Sequence, residues 1–89
     1  MGRAARERPR RLGKKLRKIR TEFGLSQNGM IRALGLTERL SQENVSAYER
    51  GTREPSLLVL LRYARIAGVS MEELVDDKVN LPEKLPAIR

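Results

Sequence analysis

The first regular pattern along the chain begins at Pro9. Leu12, Leu16, Ile19 and Phe23 recur at spacings that place them on one stripe of an α-helix. Pro9 suits the first turn of that helix and Gly24 its end. Lys14, Arg17 and Lys18 point away from the stripe. Ser26 has the chemistry of an N-cap for a short second helix. Met30 and Leu34 mark its buried side, with Ile31 and Ala33 beside them, and Gly35 ends it. After a connection over residues 36–40, Ser41 caps a third helix, and Leu40 and Val45 are spaced as a hydrophobic staple. This helix runs to Arg50 and stops at Gly51. Thr52, Arg53, Glu54 and Pro55 form a turn. Ser56 caps a fourth helix with Leu57, Leu60, Leu61 and Ala64 on its inner stripe, closed by Gly68. Ser70 and Glu73 have capping-box spacing and open a short fifth helix containing Leu74 and Val75.

The pattern holds no strand alternation, internal repeat or glycine-rich phosphate loop. It predicts an all-α domain of five short helices over residues 9–76. Residues 1–8 read as a disordered basic arm and residues 77–89 as an extended tail containing Pro82 and Pro86. Leu81, Leu85 and Ile88 in that tail would suit a docking segment for a protein partner; a plain disordered end fits them equally.

Composition narrows the chemistry. The chain has 89 residues, room for one domain, and it contains no Cys, His or Trp. Thiol chemistry, disulfides, Cys/His zinc sites and imidazole bases are therefore excluded. Its acidic residues form no evident catalytic pattern, so the expectation is a protein that is not an enzyme and needs no cofactor or metal. The longest apolar run, Leu57 to Leu61, is far short of the roughly 20 residues that span a bilayer. The basic N-terminus has no apolar segment behind it, as a signal peptide would. A soluble, cytoplasmic protein is expected.

The net charge of +8 is unevenly placed. Residues 1–20 hold ten Lys and Arg against Glu7 alone, whereas residues 21–89 are close to balanced. Such a block is an electrostatic footprint for a polyanion. On charge alone, a solvated basic tail explains it as well.

The third helix has a distinctive face. At 100° per residue from Val45, Ser46, Arg50, Glu43 and Ala47 fall at about 100°, 140°, 160° and 200°, facing outward. Gln42 and Asn44 flank them at the N-terminal end. These are small and polar groups, several able to hydrogen-bond base edges, although an ordinary solvated face has a similar composition. Glu49 falls toward the core side, where a carboxylate needs a partner. Arg20, at the core edge of the first helix, is a candidate.

Taken together, Arg20, Gly24-Leu25-Ser26-Gln27, Ser46-Ala47-Tyr48-Glu49-Arg50-Gly51, Pro55-Ser56-Leu57, Ala64 and Gly68-Val69-Ser70 resemble the Xre family, the Cro/C1-repressor type of helix-turn-helix. The resemblance covers residues 12–75. It implies a five-helix, lambda-repressor-like DNA-binding domain whose third helix lies in the major groove. It further implies base contacts from Gln42, Glu43, Asn44, Ser46 and Ala47. Phosphate contacts would come from Gln27, at the N-terminus of helix 2, and from Arg50, Thr52 and Arg53 after helix 3. Arg20 and Glu49 match the buried ion pair common in the family. Separately, the basic block suggests that Arg10 and Lys14, in the expected first helix, add phosphate contacts. Two departures bear on the angle between helices 2 and 3: their connection is about four residues longer than the family's usual short turn, and Ile31 stands where the family prefers a small residue.

The leading expectation is thus a sequence-specific double-stranded DNA-binding transcriptional regulator, a repressor-type homodimer, acting in the bacterial or phage setting on nucleoid DNA. The alternative is a helix-turn-helix protein-interaction module, such as an antitoxin or accessory subunit, with DNA binding secondary. Membrane-surface binding fits poorly, because the apolar stripe of helix 1 is needed for the core. Base stacking on single-stranded RNA fits poorly too: Phe23 and Tyr48 belong to the core, which leaves Tyr63.

Overall fold

The computed structural model describes residues 7–88; most of the expected arm, residues 1–6, and Arg89 lie outside the described residues. Five helices follow in order: α1 (Leu12–Glu22), α2 (Gln27–Leu34), α3 (Gln42–Arg50), α4 (Leu57–Ala67) and α5 (Met71–Val75). Among the described residues there is no strand, and no helix is long and apolar enough to cross a membrane. α1 packs against α3, α4 and α5, while α2 packs against α3 and α4.

Local chemistry accounts for most boundaries. Ser26, Ser41, Ser56 and Ser70 each accept a hydrogen bond from the backbone N–H three residues on, satisfying a donor the first turn leaves open. Ser70 and Glu73 complete a capping box. α3 ends at Gly51, whose φ of 78° is a left-handed conformation that glycine adopts without a Cβ penalty.

α1 is the exception. It begins at Leu12, later than Pro9, and its N-cap residue Arg11 makes no side-chain cap. The acceptor comes from the far end of the chain. Asp77 takes hydrogen bonds from the Arg10 N–H (2.9 and 3.1 Å) and the Arg11 N–H (3.0 Å). The Arg11 guanidinium also donates to the Asp77 carbonyl and to Asn80 Oδ1.

The core is built from Leu12, Leu16 and Ile19 of α1, Met30 and Leu34 of α2, and Tyr48 of α3. Val59, Leu60, Tyr63, Ala64 and Ala67 of α4 and Leu74 of α5 complete its helical part. Three sequence expectations need revision. Leu57 was placed on the inner stripe of α4 but is 76% exposed, and Leu61 is half-buried. Leu57 is angularly near the stripe but lies in the first turn, ahead of the first buried residue Val59, where no neighbouring element covers it. Tyr63, left available for stacking, is fully buried, and desolvation raises its pKa above the usual phenol value. Residues 77–88 contain no helix, yet they are not a loose tail: Leu81 and Leu85 are buried in the core and Ile88 packs against it. Leu81 and Leu85 are therefore already occupied within the chain.

Lys15 shows how the tail is held. It is 5% exposed, although it belongs to the basic block. Its Nζ donates to the carbonyls of Glu73 (2.8 Å), Asp76 (2.9 Å) and Val79 (2.7 Å). These lie in and just after α5, where carbonyls lack intrahelical partners. Burial pushes the Lys15 pKa down, while the nearby Asp77, Asp76 and Glu73 oppose that shift.

Two predictions follow from this frame. Lys15→Met keeps much of the apolar stem but removes the ammonium, and should lower stability by about 2 kcal/mol in urea denaturation; an unchanged midpoint would show that the three carbonyls do not depend on it. Hydrogen bonds from the Arg10 and Arg11 amides hold the Asp77 carboxyl below its ordinary pKa. A carboxyl that ionises more readily folded than unfolded stabilises above the ordinary carboxylate range, and this contribution is lost as pH falls through the lowered value. Asp77→Asn should therefore lower Tm near pH 7, with the gap to the wild type narrowing by about pH 2.

Candidate nucleic-acid interface

The exposed side of α3 is positioned by the contacts on its buried side. Val45 and Tyr48 face inward. The Arg20 Nε donates to Glu49 Oε2 at 2.6 Å and Nη2 to Oε1 at 3.0 Å, with the two side chains only 14% and 5% exposed. Nη1 of the same guanidinium donates to the Leu25 carbonyl at 2.9 Å. Arg20 thus ties α1 to α3 and to the segment that leads into α2. The hydrogen bond to Glu49 is the main reason the Arg20 pKa is raised. Beside this pair, Gly13 brings α1 very close to the end of α3. A Cβ built there would stand 2.6 Å from the Glu49 carbonyl oxygen and 2.9 Å from that of Tyr48.

A line of side-chain amides runs outward from the ion pair. Gln27 Nε2 donates to Glu49 Oε1 at 3.2 Å, and Gln42 Nε2 donates to Gln27 Oε1 at 3.3 Å. Gln42 itself is exposed at the start of α3. Gln27, assigned by resemblance to a phosphate, is half-buried, with its side chain committed between α2 and α3.

The other expected base-contacting residues divide into two groups. Glu43 is exposed, and Ser46 and Ala47 are half-buried on the outward side. Asn44 is engaged in its own helix: its Oδ1 accepts from the Ser41 N–H at 2.9 Å and the Ser41 hydroxyl at 3.1 Å. Among the expected phosphate-contacting residues, Thr52 caps the end of α3, its N–H and hydroxyl both donating to the Ala47 carbonyl. Arg50 is exposed and donates to Ser46 Oγ.

Arg10, Lys14, Arg50 and Arg53 share one feature that spacing alone does not reveal. All four line a single open cleft of about 820 Å³ between the start of α1 and the end of α3. Arg8 lines it as well. Four acids line it too: Glu49 is paired with Arg20, Asp77 accepts from backbone amides, Glu54 lies 3.9 Å from Arg8, and Glu7 stands at the start of the described chain. With Arg20 offsetting Glu49, the cations still outnumber the acids, which makes the cleft a cationic trough beside the C-terminal end of α3.

Sequence reasoning missed Arg8 and Gly13 as parts of this site. Gly13 carried a usable signal: a glycine inside a helix costs about 1 kcal/mol relative to alanine, so its presence there calls for a packing reason. Among the described residues, no group of three or more acids could hold a metal ion.

The connection between α2 and α3 spans residues 35–41. Leu36 is buried within it, and its carbonyl accepts from the N–H groups of Arg39 and Leu40, both at 2.9 Å. Ile31 is buried in α2. The longer connection is thus anchored in the core and turned by its own backbone hydrogen bonds.

This order of helices, with α2 and α3 clamped to α1, matches the helix-turn-helix family model over residues 16–74. The chain belongs to the helix-turn-helix family, in its Cro/C1-repressor (Xre) type. Two curated relatives agree. The chain is 35% identical over 72 residues to the Vibrio cholerae cryptic phage CTXphi transcriptional repressor RstR, a match covering 80% of this chain and 61% of that protein. It is 36% identical over 84 residues to the SPbeta prophage-derived HTH-type regulator YonR of Bacillus subtilis, covering 84% and 74%. Among solved structures it is similar to the restriction-modification controller protein C.AhdI of Aeromonas hydrophila. That similarity has a TM-score of 0.59 and 34% identity, over 72% of this chain and 91% of that one. The BldD DNA-binding domain from S. venezulae gives a TM-score of 0.58 and 38% identity, covering 73% and 91%.

The clamp of this helix-turn-helix domain makes a sharp prediction. Arg20→Met leaves Glu49 buried without its cation and should cost about 3–5 kcal/mol. Arg20→Met with Glu49→Leu should recover most of that loss in urea denaturation. If the double variant is no more stable than the single one, the unpaired carboxylate is not the source of the cost.

Proposed function

We propose that the protein is a sequence-specific double-stranded DNA-binding transcriptional regulator of the repressor type, working as a homodimer on DNA in the cytoplasm. The observation that carries this reading is the placement of the cationic trough beside the reading helix. Arg10, Lys14, Arg50 and Arg53 line one cleft at the end of α3, while Gln42 and Glu43 stand exposed at its start. Phosphates would occupy the trough, where neutralisation releases counterions, and α3 would lie in the major groove. The names of the relatives, a phage repressor and a DNA-binding domain among them, support the same reading.

The amide line favours a particular pairing. Gln42 donates one hydrogen bond to Gln27, which leaves its second N–H and its Oε1 for a base. That is the donor and acceptor set that adenine N7 and N6 accept and supply in the major groove. Glu43 would accept from the N4 amino group of cytosine. Ala47 offers apolar contact to a thymine methyl. Asn44 is the weakest of the expected readers, because its Oδ1 already caps the helix.

Selection from random duplex DNA with the full-length protein, at physiological salt, should enrich a two-fold symmetric site. Arg50→Ala with Arg53→Ala should weaken binding to every sequence and reduce the slope of log K against log salt by about 2. Gln42→Ala should leave the slope unchanged and relax preference at one base pair, at a cost of about 1–3 kcal/mol. If the arginine and glutamine variants behave alike, α3 is not the reader.

A further inference from the structure

The connection between α2 and α3 is about four residues longer than the family's usual turn. Two leucines fix its path. Leu36 is buried and Leu40 packs against the core, and the Leu36 carbonyl accepts from the Arg39 and Leu40 N–H groups, both at 2.9 Å. Its ends are fixed as well. Arg62 donates to the Leu34 carbonyl at 2.8 Å where the connection begins, and the capping box of Ser41 and Asn44 closes it. Thr37, Glu38 and Arg39 stand exposed on the turn between the leucines. We propose that Arg39 holds a DNA phosphate at the N-terminal end of α3, a contact that the lengthened connection adds to the reading unit. The proposal rests on the DNA-binding reading above and assigns the phosphate contact at the end of α3 opposite the trough.

The distribution of charge singles out Arg39. The trough cations gather at the C-terminal end of α3. Residues 33–49 contain one cation, Arg39, against Glu38, Glu43 and Glu49. Glu49 is paired with Arg20, whereas Glu38 and Glu43 are exposed near the start of α3. A duplex reaching this end meets two acids and needs a cation there to neutralise a phosphate. Gln27, which touches Gln42 at this end, is the phosphate ligand that the resemblance implies, but its side chain is held between Glu49 and Gln42. Arg39 is not held. Among the described residues its guanidinium is in no ion pair and makes no side-chain hydrogen bond.

Position agrees with charge. Arg39 precedes the N-cap Ser41 and the exposed Gln42 that opens α3. The nine residues of α3 put its two ends about 12 Å apart. A helix seated in the major groove, itself about 12 Å wide, has a phosphate strand on either wall. The trough on one strand and Arg39 on the other would fix the tilt of α3 between them. Standing outside the helix, Arg39 meets the wall of the groove and leaves the base edges to Gln42 and Glu43. The leucine-anchored turn aims it in advance, so less ordering is lost on contact.

The test uses the full chain, the duplex enriched by selection, and the same duplex with single phosphates ethylated. Arg39→Gln should bind about ten-fold more weakly, with the slope of log K against log salt reduced by about 1 and the preferred sequence unchanged. Arg39→Lys returns the charge and should restore the slope. For the wild type, ethylating one phosphate per half-site beside the start of α3 should weaken binding. For Arg39→Gln the same ethylation should cost nothing further. Both variants should keep the wild-type urea midpoint, since the side chain is exposed and serves no contact in the fold. Wild-type affinity and slope in Arg39→Gln overturn the proposal and make Arg39 a solvated surface charge. An altered preference at one base pair, with the ethylation pattern intact, overturns it by making Arg39 a base reader. A wild type that binds no duplex overturns the DNA-binding reading itself; this differs from loss of the Arg39 contact, in which the wild type still binds.

Discussion

The clamp between α1 and α3 is the constraint on which the rest of the molecule depends. Arg20 and Glu49 meet through two hydrogen bonds, and Gly13 brings the α1 backbone within van der Waals range of the last turn of α3. A buried ion pair is a poor source of net stability, because removing both charges from water costs about as much as their attraction returns. Its value lies in geometry. A two-pronged guanidinium–carboxylate contact fixes both distance and rotation, whereas apolar packing alone tolerates sliding. α3 is only nine residues long and buries few side chains, Val45 and Tyr48 foremost. A helix with so small an apolar footing needs a directional contact to hold its outer face in one orientation.

That contact also reaches the outer face. Glu49 accepts from Gln27 as well as Arg20, and Gln27 accepts from Gln42. The amide orientation of an exposed residue at the start of α3 is thereby referred back to the buried pair that Glu49, near the end of the same helix, makes with Arg20 of α1. A side chain that is already aligned loses less conformational entropy when it meets a partner. The family's ion pair, which reads as a stability feature in isolation, is here the base of a line of donors and acceptors that ends at the surface.

The parts legible in the sequence are those set by local chemistry. Ser26, Ser41, Ser56 and Ser70 announce four helix starts because a cap needs only its own next three residues. The stripe of α1 is legible because periodicity is local too. The rest is set by partners far along the chain. Asp77 caps α1 from 66 and 67 residues away, and Lys15 reaches carbonyls 58 to 64 residues on. No spacing rule connects such positions. Leu57 fails for the complementary reason: helical angle says which way a residue points, but burial needs a neighbour to extend that far. Leu81 and Leu85 are visible as apolar residues that each precede a proline, and only the packed helices show that they close the core. In the site, Arg50 and Arg53 are singled out by the family likeness and Arg10 and Lys14 by the basic block, each residue separately. Their convergence on one cleft follows from the Gly13 approach, which spacing does not encode.

The basic block also changes meaning once it is folded. Ten cations in twenty residues look like a single electrostatic device. Three of them serve the fold: Lys15 holds the carbonyls of α5 and the tail, Arg11 binds Asp77 and Asn80, and Arg20 holds α3. Lys18 lies 3.8 Å from Glu22 on its own helix and Arg8 lies 3.9 Å from Glu54. Arg10, Lys14 and Arg17 are exposed, and of these Arg10 and Lys14 face the trough with Arg50 and Arg53. The net charge thus overstates the field that the segment projects, and location matters more than count. Two cations from the start of the chain and two from the end of the reading helix form one surface because the clamp brings those two ends together. Any change that loosens α1 from α3 therefore separates these four cations from one another as well as from the outer face of α3.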